Sequence, residues 1–300
     1  MYPTKFDYVR ASTVEEAIAL LQEHEDAKFL AGGHSLIPVM KLRLASYETL
    51  IDIGRIESLK GITKYDGYFR IGSLTTHGML VNAHELPAAI PEAASMIGDP
   101  MVRNRGTVGG NLAHADPASD LPTVFTALGA TLNIRGANGE RSIAANEFFT
   151  GLFETDLGEN EILTSVDVPV EGTRTGSAYV KLFNPASRYA MVGACASISV
   201  NALGECKSAS IAIGGLTPHA KLVSSVSNAL VGKLLTEENI NTAVSEVSKH
   251  LGDDVMGDIH ATAEYRRKMA PIFVSRAIVA ATRRAGWLAK LGKWLEEHLA

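Results

Sequence analysis

Apolar residues at Val14, Ala17, Ile18 and Leu21 fall on one helical face, and Ser12 and Thr13 stand ahead of Glu15 and Glu16 as a capping box. A helix is therefore predicted directly after a strand at Tyr8-Val9-Arg10. Lys28-Phe29-Leu30-Ala31 is predicted as a short buried strand running into a glycine pair. Pro38 then opens a helix carrying Met40, Leu42 and Leu44, and Thr49-Leu50-Ile51-Asp52-Ile53 forms the next strand. A strand at Gly67-Tyr68-Phe69-Arg70-Ile71-Gly72 precedes helices over about 74–82 and 87–97. Beyond a second glycine pair, Leu121-Pro122-Thr123 opens an apolar helix, and Thr131-Leu132-Asn133-Ile134 is a strand. Ala137-Asn138-Gly139 is a hairpin signal, and Glu161 to Val168 alternates as a strand that stops at Pro169. The stretch from Pro169 to Gly176 has the composition of a linker. After it come strands near 177–183, 190–200 and 205–213, the last two joined by a hairpin at Asn201-Ala202-Leu203-Gly204. Helices near 221–231, 236–251 and 261–285 follow. The final segment from Trp287 spaces both tryptophans and three leucines almost helically, which predicts a tail docked on its own domain or on a partner subunit.

Composition narrows the classes this pattern can serve. The chain has 300 residues, 46% hydrophobic and 20% charged, and a formal charge of −5, which fits a folded protein of about two or three domains. There is no basic block to hold nucleic acid or an anionic membrane surface. No apolar run approaches the ~18 residues of a membrane span, and Met1 to Asp7 lacks the apolar core of a signal peptide, so the expected location is cytoplasmic. The two cysteines, Cys195 and Cys206, cannot hold a four-cysteine iron–sulfur cluster, and in a reducing compartment they are expected as buried thiols.

The chemistry that stands out lies in the two glycine pairs, Ala31-Gly32-Gly33-His34-Ser35 and Thr107-Val108-Gly109-Gly110-Asn111. Glycine lets the chain adopt positive φ and lets a ligand approach the backbone, and consecutive amides form an anion site without side-chain charge. Two such segments suit a diphosphate gripped from both sides, although either alone is also an ordinary turn. The first lies between a strand end and a helix start, where amides lack partners. Common alternatives find no support: there is no Rossmann Gly-x-Gly-x-x-Gly after a strand, no P-loop, no zincin His-Glu-x-x-His and no Gly-x-Ser-x-Gly. His114, Asp116 and Asp120 are expected as turn formers and caps, with no metal assigned.

Two runs extend these motifs: Ala31 through Leu44, and Ile97-Gly98-Asp99-Pro100 through Asn111 to Asp120-Leu121-Pro122. They resemble the FAD-binding (medium) subunits of the molybdenum hydroxylases, the carbon monoxide dehydrogenase branch more than the xanthine dehydrogenase one. Ala263-Glu264-Tyr265-Arg266-Arg267-Lys268-Met269-Ala270 resembles their C-terminal signature, and the likeness spans essentially the whole chain. The resemblance implies an α+β fold: a vanillyl-alcohol-oxidase-type (PCMH) FAD-binding domain over 1–172, with subdomains of about 1–56 and 57–172, and a C-terminal α+β domain over 177–286. A tail over 287–300 is longer than the family pattern. It also implies that Lys28, Phe29, Leu30, Ala31, Gly32, Gly33, His34, Ser35 and Leu36 hold FAD together with Ile97 and Gly106, Thr107, Val108, Gly109, Gly110 and Asn111. Asp120, Leu163 and Lys181 match further FAD-lining positions, and Tyr189 matches a mobile-loop tyrosine beside the isoalloxazine.

Residue by residue, plainer roles stay open. Asp120 is equally a helix cap, Lys181 a solvated strand residue, Tyr189 strand packing, and His34 a spacer, while Arg103 and Arg105 shape the second segment. The function implied is electron transfer: molybdenum cofactor on a large subunit and [2Fe–2S] clusters on a small one feed FAD here, and FAD delivers to a quinone, NAD or O2. The expected assembly is a dimer of heterotrimers. The alternatives are a self-sufficient FAD oxidase or reductase of the same fold, and a non-catalytic nucleotide-binding module.

Overall fold

The computed structural model describes residues 1–286, so the tail expected over 287–300 lies outside the described residues. Its first unit is a three-stranded parallel sheet in the order β1 (Asp7–Arg10), β3 (Thr49–Asp52), β2 (Ala27–Leu30), linked by α1 (Val14–Glu23) and α2 (Leu36–Lys41). The capping box at the start of α1 straddles two residues: Thr13 accepts the Glu16 amide at 3.1 Å, while the Glu16 carboxylate accepts the Ser12 amide at 2.7 Å. β3, flanked on both sides, buries Leu50 and Ile51, and Ile51 joins Val14, Ala17 and Ile18 in a small core. α2 is shorter than expected. It stops at Lys41 and is closed by Leu42 N–H donating to Pro38 O and by Arg43 at φ +59°, so Leu42 and Leu44 project into solvent instead of continuing an apolar stripe.

The second unit is a five-stranded antiparallel sheet in the order β4 (Ile62–Lys64), β5 (Tyr68–Gly72), β10 (Glu161–Pro169), β6 (Thr131–Gly136), β7 (Gly139–Ala144). Between β5 and β6 run α3 (His77–Val81), α4 (Ala89–Met96), α5 (Pro100–Arg105), α6 (Val108–His114) and α7 (Asp120–Ala127). The short α8 (Ala145–Phe148) and the hairpin β8 (Phe149–Gly151) with β9 (Glu154–Thr155) complete it.

The third unit is a four-stranded antiparallel sheet, β11 (Thr175–Phe183), β12 (Ala190–Val200), β13 (Cys206–Gly214) and β14 (Lys221–Leu222). It is followed by α9 (Ser224–Leu230), α10 (Glu237–Val244), α11 (Val247–His250) and α12 (Ala263–Arg284). The single helix expected over 236–251 is thus two, interrupted at Ser245 and Glu246. Alternation along these strands sends Ala178, Val192, Ala194, Ile211 and Ile213 toward α9 and α12, and sends Tyr179, Cys195 and Ala212 into the core of the second unit. The sheet is covered on both faces. α7, packed against β12 and β13 on one side and α4 on another, has all eight residues buried, the polar Asp120, Thr123 and Thr126 among them. Arg266, from the Tyr265-Arg266-Arg267 signature, is buried and donates to Gly215 O at 2.5 Å, to Ala261 O and to Asp258, clamping the end of β13 to the start of α12. Cys195 and Cys206 are free, buried thiols, both held above the ordinary range first by burial.

Candidate functional site

The two glycine segments meet. A Cβ on Gly32 would fall inside the Arg105 carbonyl, and one on Gly110 would lie 3.7 Å from the Ala31 Cβ, so the first segment rests directly on the second. Their local structures nonetheless differ. Residues 31–35 form a bend between β2 and α2, with Gly33 at φ +74° and His34 exposed. Gly33 O accepts the Ile37 amide at 3.1 Å, but among the described residues the amides of Ala31, Gly32, Gly33, His34 and Ser35 donate to no protein acceptor. A run of main-chain donors is thereby left on one short, partly exposed bend, a donor set suited to diphosphate oxygens.

The second pair is part of a helix rather than a free loop. Thr107 is the N-cap of α6, its Oγ1 accepting the Gly110 amide at 3.2 Å, and Gly109, Gly110 and Asn111 lie within the helix. The segment is zipped to residues 73–77: Gly109 N–H donates to Ser73 O at 2.7 Å, Val108 N–H to Thr75 O at 2.9 Å, and His77 N–H to Gly106 O at 3.0 Å. Gly106 and Gly109 permit that approach, since added Cβ atoms would sit 2.7 Å from His77 Cδ2 and 2.5 Å from Ser73 Cβ. Of residues 106–111, only the Thr107 amide donates to no protein group among the described residues. The helix expected over about 74–82 begins only at His77, because Ser73, Thr75 and Thr76 run extended against residues 106–109; the glycines three residues apart were the one visible signal of that contact.

Several of the remaining expected positions are linked to this contact by hydrogen bonds. Asn111 Oδ1 accepts the Ser119 hydroxyl at 2.8 Å, and Ser119 leads into Asp120. The Asp120 carboxylate does not cap α7. Its Oδ1 accepts the Tyr179 hydroxyl at 2.5 Å and its Oδ2 accepts Lys181 Nζ at 2.8 Å. Lys181, whose side chain is only 1% exposed, is not the solvated residue its strand position allows: its ammonium also donates to Met96 O at 3.1 Å and Arg188 O at 2.7 Å, so all three donors are satisfied. Gly193 leaves the room that the Tyr179 hydroxyl needs, because a Cβ there would stand 2.5 Å from it. Burial without a full set of donors holds the Asp120 carboxyl above its usual range, with Lys181 and Tyr179 pulling the other way.

Tyr189 is 48% exposed at the end of a loop whose shape is set by its neighbours. Asn184 Oδ1 accepts the amides of Ala186 and Ser187, Arg188 adopts φ +61°, and Tyr189 O accepts the Asn184 amide at 2.8 Å. Partial burial, with the charges of Asp116 and Asp120, raises the pKa of its hydroxyl. Leu163 is buried in β10 beside a bulge, and Ile97 caps α4 and offers its carbonyl to Arg103 at 3.0 Å. Arg103 donates also to Ser95 O and Gly98 O, which fixes the turn into α5. Lys28 and Phe29 lie further back on β2, Lys28 exposed with its ammonium 6.0 Å from the Tyr47 ring and Phe29 against the first core; Leu30 and Leu36 flank the bend. The His114 ring lies 5.3 Å from that of Phe153 at a 48° tilt, and the Asp116 carboxylate accepts the Ala118 amide at 2.9 Å.

An α+β unit with a bend of open amides, joined to a second α+β unit through a buried carboxylate, defines a dinucleotide-binding protein, and comparison with known proteins agrees. Residues 4–171 match the FAD binding domain in molybdopterin dehydrogenase, and residues 177–281 match the CO dehydrogenase flavoprotein C-terminal domain. The chain is 39% identical over 290 residues to the carbon monoxide dehydrogenase medium chain of Hydrogenophaga pseudoflava, covering 95% of this chain and 99% of that one. It is 34% identical to the glyceraldehyde dehydrogenase medium chain of Sulfolobus acidocaldarius, covering 92% and 98%. The solved structure of the Hydrogenophaga pseudoflava carbon monoxide dehydrogenase lacking the Mo-pyranopterin moiety of the molybdenum cofactor superimposes with a TM-score of 0.90 at 38% identity, over 95% of this chain and 99% of that one. The chain belongs to the family of FAD-binding medium subunits of molybdenum hydroxylase complexes, of which carbon monoxide dehydrogenase is one, and is an oxidoreductase component. Among the described residues no helix is long and apolar enough to cross a membrane.

Proposed function

We propose that this chain carries electrons from iron–sulfur clusters on a small partner subunit, through FAD, to an external acceptor, after a molybdenum cofactor on a large subunit has taken them from substrate. The observation that carries the reading is the bend at Ala31–Ser35, whose amides have no protein acceptor among the described residues and which lies against Arg105–Gly106. When bound, FAD accepts electrons singly and releases them as a pair. The chain's own part is to hold and orient. Amides 31–35 take the diphosphate, Gly106 to Asn111 form the floor beneath it, and Leu163 and Ile97 belong to its apolar surround. The Asp120–Lys181 pair ties that floor to the Tyr189 loop.

Two cysteines, both buried, leave no room for a four-cysteine cluster, which supports placing the clusters on another subunit. Unpaired thiols also suit a reducing cytoplasm. Substrate choice is assigned to the large subunit: the medium chains similar to this one come from enzymes named for substrates as different as carbon monoxide and glyceraldehyde. Quinone, NAD and O2 are the acceptors to test, and a dimer of heterotrimers is the assembly to test. Tyr189, half exposed on a loop edge, is proposed to guard the flavin face.

Native purification with metal and flavin analysis tests the reading: one FAD should co-elute with this chain, and iron and molybdenum with its partners. A native complex without flavin, or a chain that oxidises an organic substrate alone, would overturn it. Tyr189→Phe should alter the rate of flavin reoxidation while FAD content stays unchanged; loss of FAD would instead make Tyr189 a binding residue.

A further inference from the structure

One end of the third unit has no part in the flavin reading. α12 starts beside Gly215, where Arg266 holds it, and finishes at the start of β11, where a Cβ on Gly176 would lie 2.5 Å from the Arg284 Cβ and 2.6 Å from the Ala285 nitrogen. At that finishing end Thr175 pairs with Ser199, the Val200 amide donates to Arg174 O at 3.0 Å, and β12 turns through residues 201–204 into β13. The segment after α9 closes on the same place: the Cys206 amide donates to Lys233 O and the Gly232 amide to Cys206 O, both at 2.8 Å, and Glu205 bridges to Leu234. These contacts gather three exposed apolar side chains, Leu203 (70% exposed), Val231 (49%) and Leu234 (44%), with the exposed Lys207 and Lys233 among them. Two segments held together by hydrogen bonds thus present a patch, not the scattered single apolar residues of an ordinary surface.

Gly286, at φ +76°, leaves α12 at this end, and residues 287–300 follow it. Wound at about 3.6 residues per turn, their sequence sets Trp287, Leu288, Leu291, Trp294, Leu295 and Leu299 on one side and Lys290, Lys293, Glu296 and Glu297 on the other. We propose that residues 287–300 fold back on their own domain as an amphipathic cover, which seats the tryptophans and leucines on the Leu203–Val231–Leu234 patch and brings Glu296 and Glu297 toward Lys207 and Lys233. The reach suffices: a helix of this length spans about 21 Å, while β11 and β13 are two strand spacings, about 10 Å, apart. The family match ends at residue 281, so the tail lies outside what the related medium chains were matched on, which favours a seat on this chain over one on a subunit they share. The Tyr189 loop, at the opposite end of β11 and β12, stays clear of it. This inference goes beyond the flavin reading and stands whether or not FAD binds.

Trp287 and Trp294 are the chain's two tryptophans, so tryptophan emission from the full-length chain reports on the tail alone. Without lipid or partner subunits, and independently of protein concentration, that emission should lie at shorter wavelength than that of a peptide of residues 287–300. Acrylamide should quench it several-fold less. Leu203→Asp and Leu234→Asp put a carboxylate into the seat, and each should move emission and quenching toward the values of the peptide. The same substitutions should lower the melting temperature of the full-length chain and leave that of a chain ending at Gly286 unchanged, which separates loss of the seat from damage to the fold. Four results would each overturn the proposal: emission equal to that of the peptide, a shift that vanishes on dilution as a second copy would give, a shift that appears only with phospholipid vesicles, or a shift that both Asp variants retain.

Discussion

The two glycine segments look alike in sequence and do opposite things in the fold. At Ala31–Ser35 glycine frees the main chain: Gly33 takes a positive φ and the amides around it face no protein acceptor among the described residues. At Gly106–Asn111 glycine does the reverse: it lets residues 73–77 come so close that the Val108 and Gly109 amides donate to Thr75 and Ser73, while those of Gly106, Gly110 and Asn111 are satisfied by Val102 and Thr107. One segment is left open for a ligand, and the other is the rigid bed on which it sits. A Gly-Gly pair therefore says that something approaches the backbone closely, and only the fold says whether that is a ligand or another strand.

Substitutions can break this contrast or sharpen it. The largest effect is expected from Gly109→Ala, whose Cβ would press on Ser73 main-chain and side-chain atoms and break the Gly109–Ser73 hydrogen bond. A loss of about 3 kcal/mol in urea unfolding, with or without FAD, is the expected outcome. If stability were unchanged and only FAD binding fell, the second segment would be an open ligand loop after all. Next comes acid. His77 is held to about 4 against 6.5 for a free histidine, so the unfolded chain binds a proton first as pH falls. Stability is full above pH 6.5 and declines as pH falls to about 4, by about 3 kcal/mol. His77→Phe should lack that part of the slope, and an unchanged profile in the variant would remove His77 as its source.

Gly33→Ala belongs to the other segment. Forcing a side chain to φ +74° should cost about 1 kcal/mol of stability in the FAD-free chain, yet weaken FAD binding by roughly tenfold because the neighbouring amides are re-aimed. An equal loss at both segments would erase the distinction drawn here. Thr107→Ala should be the mildest, about 1 kcal/mol from one lost N-cap bond to Gly110, with little change in flavin affinity beyond it.

Much of the scaffold was legible because it depends on neighbours in sequence. The capping box at Ser12–Glu16, the hairpin at Asn201–Gly204 and the long alternating strands around it appear where local patterning puts them. Leu42 and Leu44 did not join a helix, since the turn at Arg43 depends on a conformation that composition does not announce. The site was legible in its first segment and less so elsewhere. Asp120 and Lys181 stand 61 positions apart, and nothing along the chain tells a strand lysine that its ammonium will meet a buried carboxylate and two carbonyls. Removing one partner of such a buried pair commonly costs about 3–5 kcal/mol, so its burial also weighs on the fold. The zipper of Ser73–His77 against Gly106–Gly109 escaped for the same reason, because register between distant segments leaves no periodic mark.

The fully enclosed helix α7 carries a lesson for anyone cutting the gene. Expressed without residues 177–286, the remaining piece would present to water the face of that helix now covered by β12 and β13, together with the Asp120 carboxylate stripped of Tyr179 and Lys181, and should aggregate more readily than the whole chain. The same penalty would discourage recombination from reshuffling the two halves separately, so they are best regarded as a single heritable block.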